Sequence, residues 1–435
     1  MKKTNKILEA VILSSLLTMP ALVSAENVQF QLGDVMVNEE LKVATNQGGP
    51  LIAGEEGSTV SIEKASGNDT YSALFAGNNK GLVVKGKTIT SNSVLVASGA
   101  TAAVGNSSTD AVTITGRGEA WGKFGILALD DDKTASNAPH VTVEGKTVTI
   151  STDSKNGAAL WVQNNTQLAS APDEVASITV TGDAINLTAP KAAIVNYSNG
   201  QITLTGDTMI TAPVALDVRG YSTTNINTDG AHKTVINGDI TFETPATAGN
   251  KQASGEKINA YVNLNLTGKD SVWTGRAYAE YDNEEHLAGD EFRGDVTGMH
   301  LTMKDGATWN VTGGSLMNTL DADNSTVNLE AANAKLMADK ATLTGGTVNL
   351  NGEGSSLQSD ALTASGTTFN FNGEKAALLG KATLDGGTVN VNHTATAGAL
   401  TLNDATINLN GNGTQMTVES LAGSKAVVNT ESLEN

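Results

Sequence analysis

A four-residue unit of Thr, an apolar residue, Asn and a second apolar residue occurs six times in the last third of this 435-residue chain. The units are Thr308–Val311, Thr326–Leu329, Thr347–Leu350, Thr368–Phe371, Thr388–Val391 and Thr406–Leu409, and they start 18, 21, 21, 20 and 18 residues apart. Alternation with a period of two is the pattern of a strand that buries one face. We therefore expect the apolar members to point inwards and Thr and Asn to point outwards.

Additional short strands and glycine turns accompany these units. A strand followed by two glycines precedes several of them, as in 341–346 and 382–387, and the first half carries a longer version, as in 141–150 and 178–187. Glycine at a corner permits backbone angles that a side chain would resist. The corner glycines are Gly86, Gly116, Gly145, Gly182, Gly206, Gly238 and Gly268. Each unit therefore predicts three short strands separated by corners, plus a loop of variable length.

Units of this length favour a parallel β-helix, in which each coil stacks its strands on the matching strands of the next coil. β-Propeller blades need about 40 to 50 residues and signature motifs that this sequence lacks. With ~24 residues per coil and a strand spacing of ~4.8 Å, the chain after residue 25 would form roughly 17 coils and a rod on the order of 80 Å long. We predict an all-β fold with inner ladders of Val, Ile and Leu and outer ladders of Thr and Asn.

The composition excludes several classes of function. The chain has no Cys, which rules out disulfide scaffolds, thiolate metal sites and cysteine nucleophiles. It has 27 Lys and Arg against 46 Asp and Glu, a net charge of −19. Because binding of nucleic-acid phosphates depends on clustered cations, nucleic acid is not an expected partner.

The start of the chain predicts a secretory signal peptide. Three Lys within the first six residues precede an apolar run over 10–17, and small residues precede an expected cleavage between Ala25 and Glu26. The apolar run is shorter than the ~20 residues that a membrane-spanning helix needs. We therefore expect residues 1–25 to be removed and the mature protein to be exported.

The repeats resemble the pertactin-type passenger domains of bacterial autotransporters, most strongly from about residue 258 onward. The phrases 264–275 (LNLTGKDSVWTG) and 301–313 (LTMKDGATWNVTG) carry this resemblance, and 417–430 is similar to the start of the family's autochaperone region. The resemblance implies a right-handed β-helix that a C-terminal β-barrel carries across the outer membrane. The partners it implies are this outer-membrane translocator, and a host surface receptor, a polysaccharide or like passengers on neighbouring cells.

This reading divides the chain into a signal peptide (1–25), a β-helix with long coils (26–275), an acidic loop insertion (276–299), regular coils of 18 to 21 residues (300–413) and the start of an autochaperone-like region (414–435). A barrel needs many alternating segments of about ten residues, whereas the sequence stops at Asn435. Two interpretations stay open, the passenger part of a longer product and a truncated reading frame.

Motifs for catalysis or metal binding were sought in the sequence. The histidines have no metal-ligand spacing, and neither a GxSxG elbow nor a protease-type Gly-Asp-Ser occurs. The histidines are His140, His232, His286, His300 and His393. Three consecutive Asp at 130–132 could bind a cation, although the sequence around them favours a solvated turn. We therefore predict no catalytic residue, no cofactor and no metal site.

The tetrapeptide Asn-Thr-Asp-Gly at 227–230 is similar to a phrase of polygalacturonases, which are β-helical enzymes that hydrolyse glycosides with paired carboxylates. That family also needs Asp-Asp, Gly-His-Gly and Arg-x-Lys motifs, and none of them follows residue 230. The four residues are all common in turns. A structural turn is therefore the favoured interpretation.

An acidic segment from Arg276 to Met299 is the most conspicuous interruption of the repeats. It contains the tripeptide Arg293-Gly294-Asp295, which presents a cation and a carboxylate on one loop. Such a tripeptide is the integrin-recognition motif that some adhesive passengers resemble. Two interpretations follow, an adhesion loop and a solvated acidic loop or hairpin that leaves the rod.

Three functions are compatible with the sequence. The favoured one is a non-enzymatic autotransporter passenger, displayed on the surface of a Gram-negative-type bacterium as an adhesin or self-association rod. The second is an exported β-helix enzyme or carbohydrate-binding protein that acts on polysaccharide. The third is an exported repeat protein that never had a barrel.

Overall fold

The computed structural model describes residues 35–37, 41–43, 51–62, 74–76, 81–97, 99–118, 120–130, 138–164, 175–197, 199–243, 260–281, 284–286 and 298–430. Strands form nearly all of the regular secondary structure in this part of the chain, together with one short 3-10 helix at Ala120–Lys123. The strands are β1 Val35–Val37, β2 Leu41–Val43, β3 Leu51–Ala53, β4 Thr59–Ile62, β5 Leu74–Ala76, β6 Gly81–Val84, β7 Thr88–Ser91, β8 Val94–Ala97, β9 Thr101–Gly105, β10 Ala111–Gly116, β11 Ile126–Asp130, β12 His140–Glu144, β13 Thr147–Thr152, β14 Leu160–Asn164, β15 Ser177–Thr188, β16 Ala192–Tyr197, β17 Gln201–Arg219, β18 Thr223–Ile226, β19 Thr234–Glu243, β20 Tyr261–Thr267, β21 Val272–Gly275, β22 Ala277–Tyr281, β23 Glu284–His286, β24 Met299–Lys304, β25 Thr308–Val311, β26 Ser315–Asp323, β27 Thr326–Leu329, β28 Lys335–Thr344, β29 Thr347–Leu350, β30 Ser356–Ser365, β31 Thr368–Phe371, β32 Ala376–Asp385, β33 Thr388–Val391, β34 Thr394–Asn403, β35 Thr406–Leu409, β36 Gln415–Ser424 and β37 Val427–Thr430.

These strands stack in three parallel ladders, which are the three faces of a parallel β-helix. Ladder 1 runs from β1 to β37 and has sixteen members, close to the expected number of coils. Ladder 2 runs from β2 to β22 and resumes from β26 to β36. Ladder 3 runs from β3 to the second half of β36. The prediction of a parallel β-helix is confirmed.

The interior of the helix holds the hydrophobic core. Each Thr-apolar-Asn-apolar unit forms one strand of ladder 1, from β25 to β35, with its apolar residues inside. Val348 is 2% exposed, whereas its neighbour Asn349 is half-buried on the outer face. The predicted inside and outside assignment of these strands is therefore confirmed.

The outer face of ladder 1 carries a continuous chain of amide hydrogen bonds. The side-chain Nδ2 of each Asn donates to Oδ1 of the Asn one coil earlier, over 2.7 to 2.9 Å. The members are Asn310, Asn328, Asn349, Asn370, Asn390, Asn408 and Asn429. A second chain runs beside it through Asn410, Asn392, Asn372 and Asn351 to Glu330. Because identical side chains stack at the strand spacing, each Asn amide can form a hydrogen bond with the Asn amide of the next coil.

Two aromatic rings stack inside the middle of the rod. Trp273 and Trp309 are register partners in ladder 1, with ring centroids 4.5 Å apart and planes 3° from parallel. Each indole N–H donates to a corner carbonyl over 3.0 Å, Trp273 to Gly238 and Trp309 to Gly275. The buried indoles therefore fill the interior without leaving their polar atoms unpaired.

The corner between ladder 3 and ladder 1 is tight in several coils. β17 is one strand of 19 residues that passes through all three ladders, and it bends at Gly206 with φ of 142°. A Cβ at this position would lie 1.8 Å from the carbonyl oxygen of Gly182 on the preceding coil. Only glycine lets the two coils approach so closely at this position.

Substituting Gly206 by Ala should lower the free energy of unfolding by about 2 to 3 kcal/mol, because the added Cβ must push the coil away from the Gly182 carbonyl. Urea unfolding followed by circular dichroism measures this change. The matched control is Gly366→Ala, since Gly366 also has a positive φ of 62° but no atom lies within 4 Å of a Cβ there. We expect the control to lose only about 1 kcal/mol. Equal losses would contradict the close approach of the coils.

Two of the sequence-based boundaries fall inside continuous structure. The inserted segment begins later than Arg276, because β22 still pairs in parallel with β19 as a member of ladder 2. At the other end, β36 and β37 pair in register with β34 and β35 and continue the coil repeat. No structural break therefore separates residues 300–413 from residues 415–430.

Candidate functional site: the loop-bearing corner

The three longest connections after residue 81, and a shorter one after β11, lie at the same corner, between a ladder 2 strand and the next ladder 3 strand. The segments are 131–137, 165–174, 244–259 and 282–297, and they follow β11, β14, β19 and β22. Apart from β23, these segments lie outside the described residues, whereas the strands on either side of them are described. We name this edge of the rod the loop-bearing corner.

An ion pair under an aromatic ring lies where ladder 2 approaches this corner. Arg219 donates to both carboxylate oxygens of Asp217, from Nε over 3.0 Å and from Nη2 over 2.6 Å. The Arg219 guanidinium also lies 5.7 Å from the centre of the Tyr197 ring on the preceding coil. Because Asp217 is only 8% exposed, this charge-assisted pair is well shielded from water. The two hydrogen bonds fix the plane of the Arg219 guanidinium beside the Tyr197 ring.

A second ion pair with an aromatic neighbour lies further along the rod, at the opposite end of ladder 2, where β21 passes into β22. Arg276 binds Asp239 through its backbone N–H over 3.2 Å and its Nε over 3.1 Å. Its guanidinium lies 4.3 Å from the centre of the Tyr278 ring, which is a favourable cation–π distance. Tyr278 itself is 7% exposed. Both arginines of this face thus have a carboxylate partner and an aromatic neighbour.

Exposed rings lie on the ladder 3 side of the corner. Tyr221 is 46% exposed in the connection to β18, and Tyr261 is 40% exposed at the start of β20. Tyr261 stacks on His300 of the next coil, with ring centroids 6.2 Å apart and planes 21° from parallel. Burial lowers the pKa of His300, and the nearby Asp321 carboxylate opposes this shift. The imidazole is therefore uncharged at neutral pH.

The corner concentrates a residue type that is rare in this chain. Five of the six tyrosines lie in the coils between residues 197 and 281, all on ladder 2, on ladder 3 or in the corner between them. They are Tyr197, Tyr221, Tyr261, Tyr278 and Tyr281. Tyr and Arg are the residues most enriched among energetic hot spots of binding surfaces. Sequence reasoning missed this cluster, although the local density of tyrosine was a visible signal.

Several residues named from the sequence lie outside the described residues. These are the cleavage-site residues Ala25 and Glu26 and the tripeptide Arg293, Gly294 and Asp295. The flanks of the tripeptide are described: β22 turns back into β23 as an antiparallel hairpin, and the chain returns at Gly298 beside Tyr261. The segment that carries the tripeptide therefore leaves and re-enters at the loop-bearing corner.

The Asp130–Asp132 motif is only partly described. Asp130 ends β11 and is 5% exposed, so the expectation of a solvated turn is wrong for this residue. Asp130 is buried because it is the last residue of a strand that is buried along its whole length and not part of the connection that follows. Asp131 and Asp132 lie outside the described residues.

The tetrapeptide 227–230 forms a turn, as expected from its composition. Asn227 adopts a left-handed φ of 50° and is fully buried. Its Oδ1 accepts from the backbone N–H of Gly206 over 3.0 Å, and its Nδ2 donates to Oγ1 of Thr234 over 2.8 Å. Asp229 pairs with His232 over 3.4 Å. Asn227 thus links two coils by hydrogen bonds at the corner between ladder 3 and ladder 1.

Three described histidines lie in separate surroundings. His140 contacts the Ser177 hydroxyl over 2.8 Å, His300 contacts the Thr319 hydroxyl over 3.0 Å, and His232 lies between Asp207 and Asp229. Within the described ranges, no group of three or more His, Asp or Glu side chains is arranged to hold a metal ion. In the same part of the chain, no helix has the length and apolar character needed to cross a membrane.

Comparison with protein-family models, with curated proteins and with solved structures gives no match for this chain in any of the three searches.

Proposed function

We propose that this chain is a non-enzymatic, exported β-helical rod of the autotransporter passenger type, displayed at the surface of a Gram-negative-type bacterium as an adhesin. The observation that carries the proposal is that the three longest connections after residue 81 all lie at one corner of the solenoid. Binding residues occur disproportionately on loops that a rigid scaffold positions. A rod that sends its loops out along one edge is suited to contact an extended surface.

The residues of the corner support binding in preference to hydrolysis. Glycosidases place two carboxyl groups on either side of the scissile bond. Here the carboxylates of Asp217 and Asp239 are each bound by an arginine, and the neighbouring side chains are tyrosines. Such rigid aromatic and arginine surfaces are typical of recognition sites. The candidate targets are a host surface receptor, a polysaccharide or like passengers on neighbouring cells.

Export and display would use the signal peptide at residues 1–25 and an outer-membrane β-barrel translocator as partner. The absence of Cys supports this route, because a chain without disulfides stays threadable until it folds outside the cell. The parallel β-helix agrees with the fold that the passenger resemblance implies. The amide ladders of ladder 1 extend to Asn429, at the end where an anchor would follow.

Replacing 282–297 by a short Gly-Ser linker, with Tyr281 and Gly298 kept, should lower attachment to host cells by about ten-fold if this segment holds a dominant part of the adhesive surface. The chain would be expressed upstream of an outer-membrane translocator in a Gram-negative host. Protease accessibility on intact cells measures display, and counting bound bacteria on a cell layer measures attachment. A parallel Asp295→Ala variant reports the share of the Arg-Gly-Asp tripeptide.

The matched control replaces 165–174 at the same corner with the same linker. This change removes a segment of the same edge without touching the tripeptide, so display and most of the attachment should persist. Attachment that is unchanged by both the 282–297 replacement and Asp295→Ala would remove the adhesion role of this segment. If protease did not cleave the wild-type chain on intact cells, surface display would be contradicted.

A further inference from the structure

Few large apolar side chains are exposed along the rod. In the part of the chain that the structure describes, they are Met209, Tyr221, Tyr261 and three residues of the last coil, Leu421, Val427 and Val428. Tyr221 and Tyr261 lie in the middle of the rod, beside the loop-bearing corner. Exposed aromatic rings in the middle of a regular polar surface point to a ligand that covers them.

Tyr221, Tyr261 and His300 lie on three consecutive coils, and we call these three residues the row. Tyr261 is the register partner of Thr223, two residues after Tyr221, and its N–H bonds to the Ser222 carbonyl over 2.8 Å. His300 is the partner of Asn263, two residues after Tyr261, so the Cα atoms of Tyr261 and His300 are about 8 Å apart. Tyr221 lies in the turn that leads into β18, with a left-handed φ of 52°.

The row is held on rigid elements. Gly298, where the chain returns from the 282–297 segment, lies under the edge of the Tyr261 ring, and a Cβ there would come within 2.9 Å of Cδ1. On the other side, the imidazole of His300 stacks on the same ring and bonds to the Thr319 hydroxyl. Tyr261 is thus held at one edge by Gly298 and on one face by His300, while 40% of the residue stays exposed, and this order before binding lowers the entropic cost of binding.

Amides and hydroxyls lie between the rings. The Asn263 amide donates to Oδ1 of Asn225 over 2.8 Å, and both side chains are half-buried on the outer face of ladder 3. Thr203 and Thr223 continue this polar face towards earlier coils. The surface therefore alternates flat apolar rings with donors and acceptors, unlike the contiguous apolar core of a protein–protein interface.

The row carries no cation at neutral pH. Its imidazole is uncharged, and Arg219 at the neighbouring corner binds Asp217. The chain as a whole has a net charge of −19, which repels anionic polymers. This surface therefore favours an uncharged ligand over an anionic one.

We propose that the row of Tyr221, Tyr261 and His300 binds an uncharged linear glycan. Sugar rings present an apolar C–H face and a rim of hydroxyls, and the apolar face packs on an aromatic ring while Asn and Thr bond the hydroxyls. A linear chain can follow the three coils from Tyr221 past Tyr261 to His300, and the rings of the last two have centroids 6.2 Å apart. The inference rests on the proposed function in that the rod binds an external target, and it names the chemistry of that target.

The test is affinity electrophoresis of the purified full chain in native gels that contain hydroxyethyl cellulose or galactomannan, two uncharged polymers with linear backbones. Carboxymethyl cellulose, which has the backbone of the first polymer but carries charge, is the comparison. We expect the wild-type chain to be retarded in at least one neutral gel and not in the charged one. The double variant Tyr221→Ala/Tyr261→Ala should bind the neutral polymer at least about ten-fold more weakly than the wild-type chain does.

Two further variants sharpen this test. Met209→Ala removes an exposed side chain of similar exposure, 44%, from the outer face of ladder 1 and should leave retardation unchanged. Tyr261→Phe keeps the ring and should bind within about two-fold of the wild type if stacking dominates. Circular dichroism checks that each variant is folded.

Several outcomes would overturn the inference. They are absence of retardation in both neutral gels, equal retardation of the wild-type chain and the double Ala variant, and retardation only by carboxymethyl cellulose. Equal weakening by Tyr261→Phe and Tyr261→Ala would also do so, because it would remove stacking as the cause. If these outcomes occur while attachment still depends on 282–297, the glycan inference fails and the adhesion proposal stands.

Discussion

Replacing Val348 by Asp should lower the free energy of unfolding by about 4 kcal/mol, because a carboxylate would be forced into the apolar interior without a partner. Val348 is 2% exposed and stacks between Val327 and Phe369 in ladder 1. The measurement is the urea midpoint and slope of the purified chain. A fall in slope would show that one part of the rod unfolds separately, which long repeat arrays allow.

The matched control is Asn349→Asp, one residue along on the outer face. It removes the amide donor that reaches Asn328 over 2.7 Å but keeps an oxygen that accepts from Asn370. The expected loss is about 1 to 2 kcal/mol, the value of a broken hydrogen bond and a new repulsion between oxygens. Similar losses at 348 and 349 would contradict the register of ladder 1.

Replacing Trp309 by Ala should lower the free energy of unfolding by about 5 kcal/mol, the largest effect that we expect for a single side chain. The change leaves a cavity beside the parallel ring of Trp273, and it removes the shorter of the two hydrogen bonds to the Gly275 carbonyl, whose other donor is the Thr312 N–H at 3.4 Å. Urea unfolding again provides the measurement. A loss near 1 kcal/mol would contradict a closed interior at this coil, since an open one would let water or a neighbouring side chain fill the space.

Trp309→Phe separates the two causes. Phenylalanine keeps most of the ring volume but cannot donate to Gly275, so we expect a loss of about 2 kcal/mol. If Phe were as damaging as Ala, the indole hydrogen bond and not the packing would carry the effect. Trp273→Phe should behave similarly, because Trp273 donates to Gly238 in the same geometry.

Much of the fold follows from short-range patterns. The alternation in Thr347–Leu350 and its relatives predicts both a strand and the face that it buries, because side chains of a strand alternate on successive residues. The recurrence of the unit every 18 to 21 residues predicts parallel stacking. Gly206 shows why glycines mark the corners, since its Cβ position is occupied by the preceding coil.

The candidate site could not be predicted in this way. Tyr221 and Tyr261 are 40 residues apart in the sequence, yet they lie on adjacent coils. Their alignment depends on how much of the chain between them is inserted segment and how much is coil. The strand β22 is a similar case, because it is recognisable as a member of ladder 2 only by its pairing with β19.

The sequence by itself determined the class of fold, the inward and outward faces of the regular strands and the glycine corners, because each depends on residues close together in the chain. The tertiary structure decided which corner the inserted segments leave and which rings lie side by side. Those properties depend on the register between coils, which is set by backbone hydrogen bonds and close glycine contacts between residues about 20 to 40 positions apart. The aromatic row at the loop-bearing corner therefore emerges only when the coils are stacked.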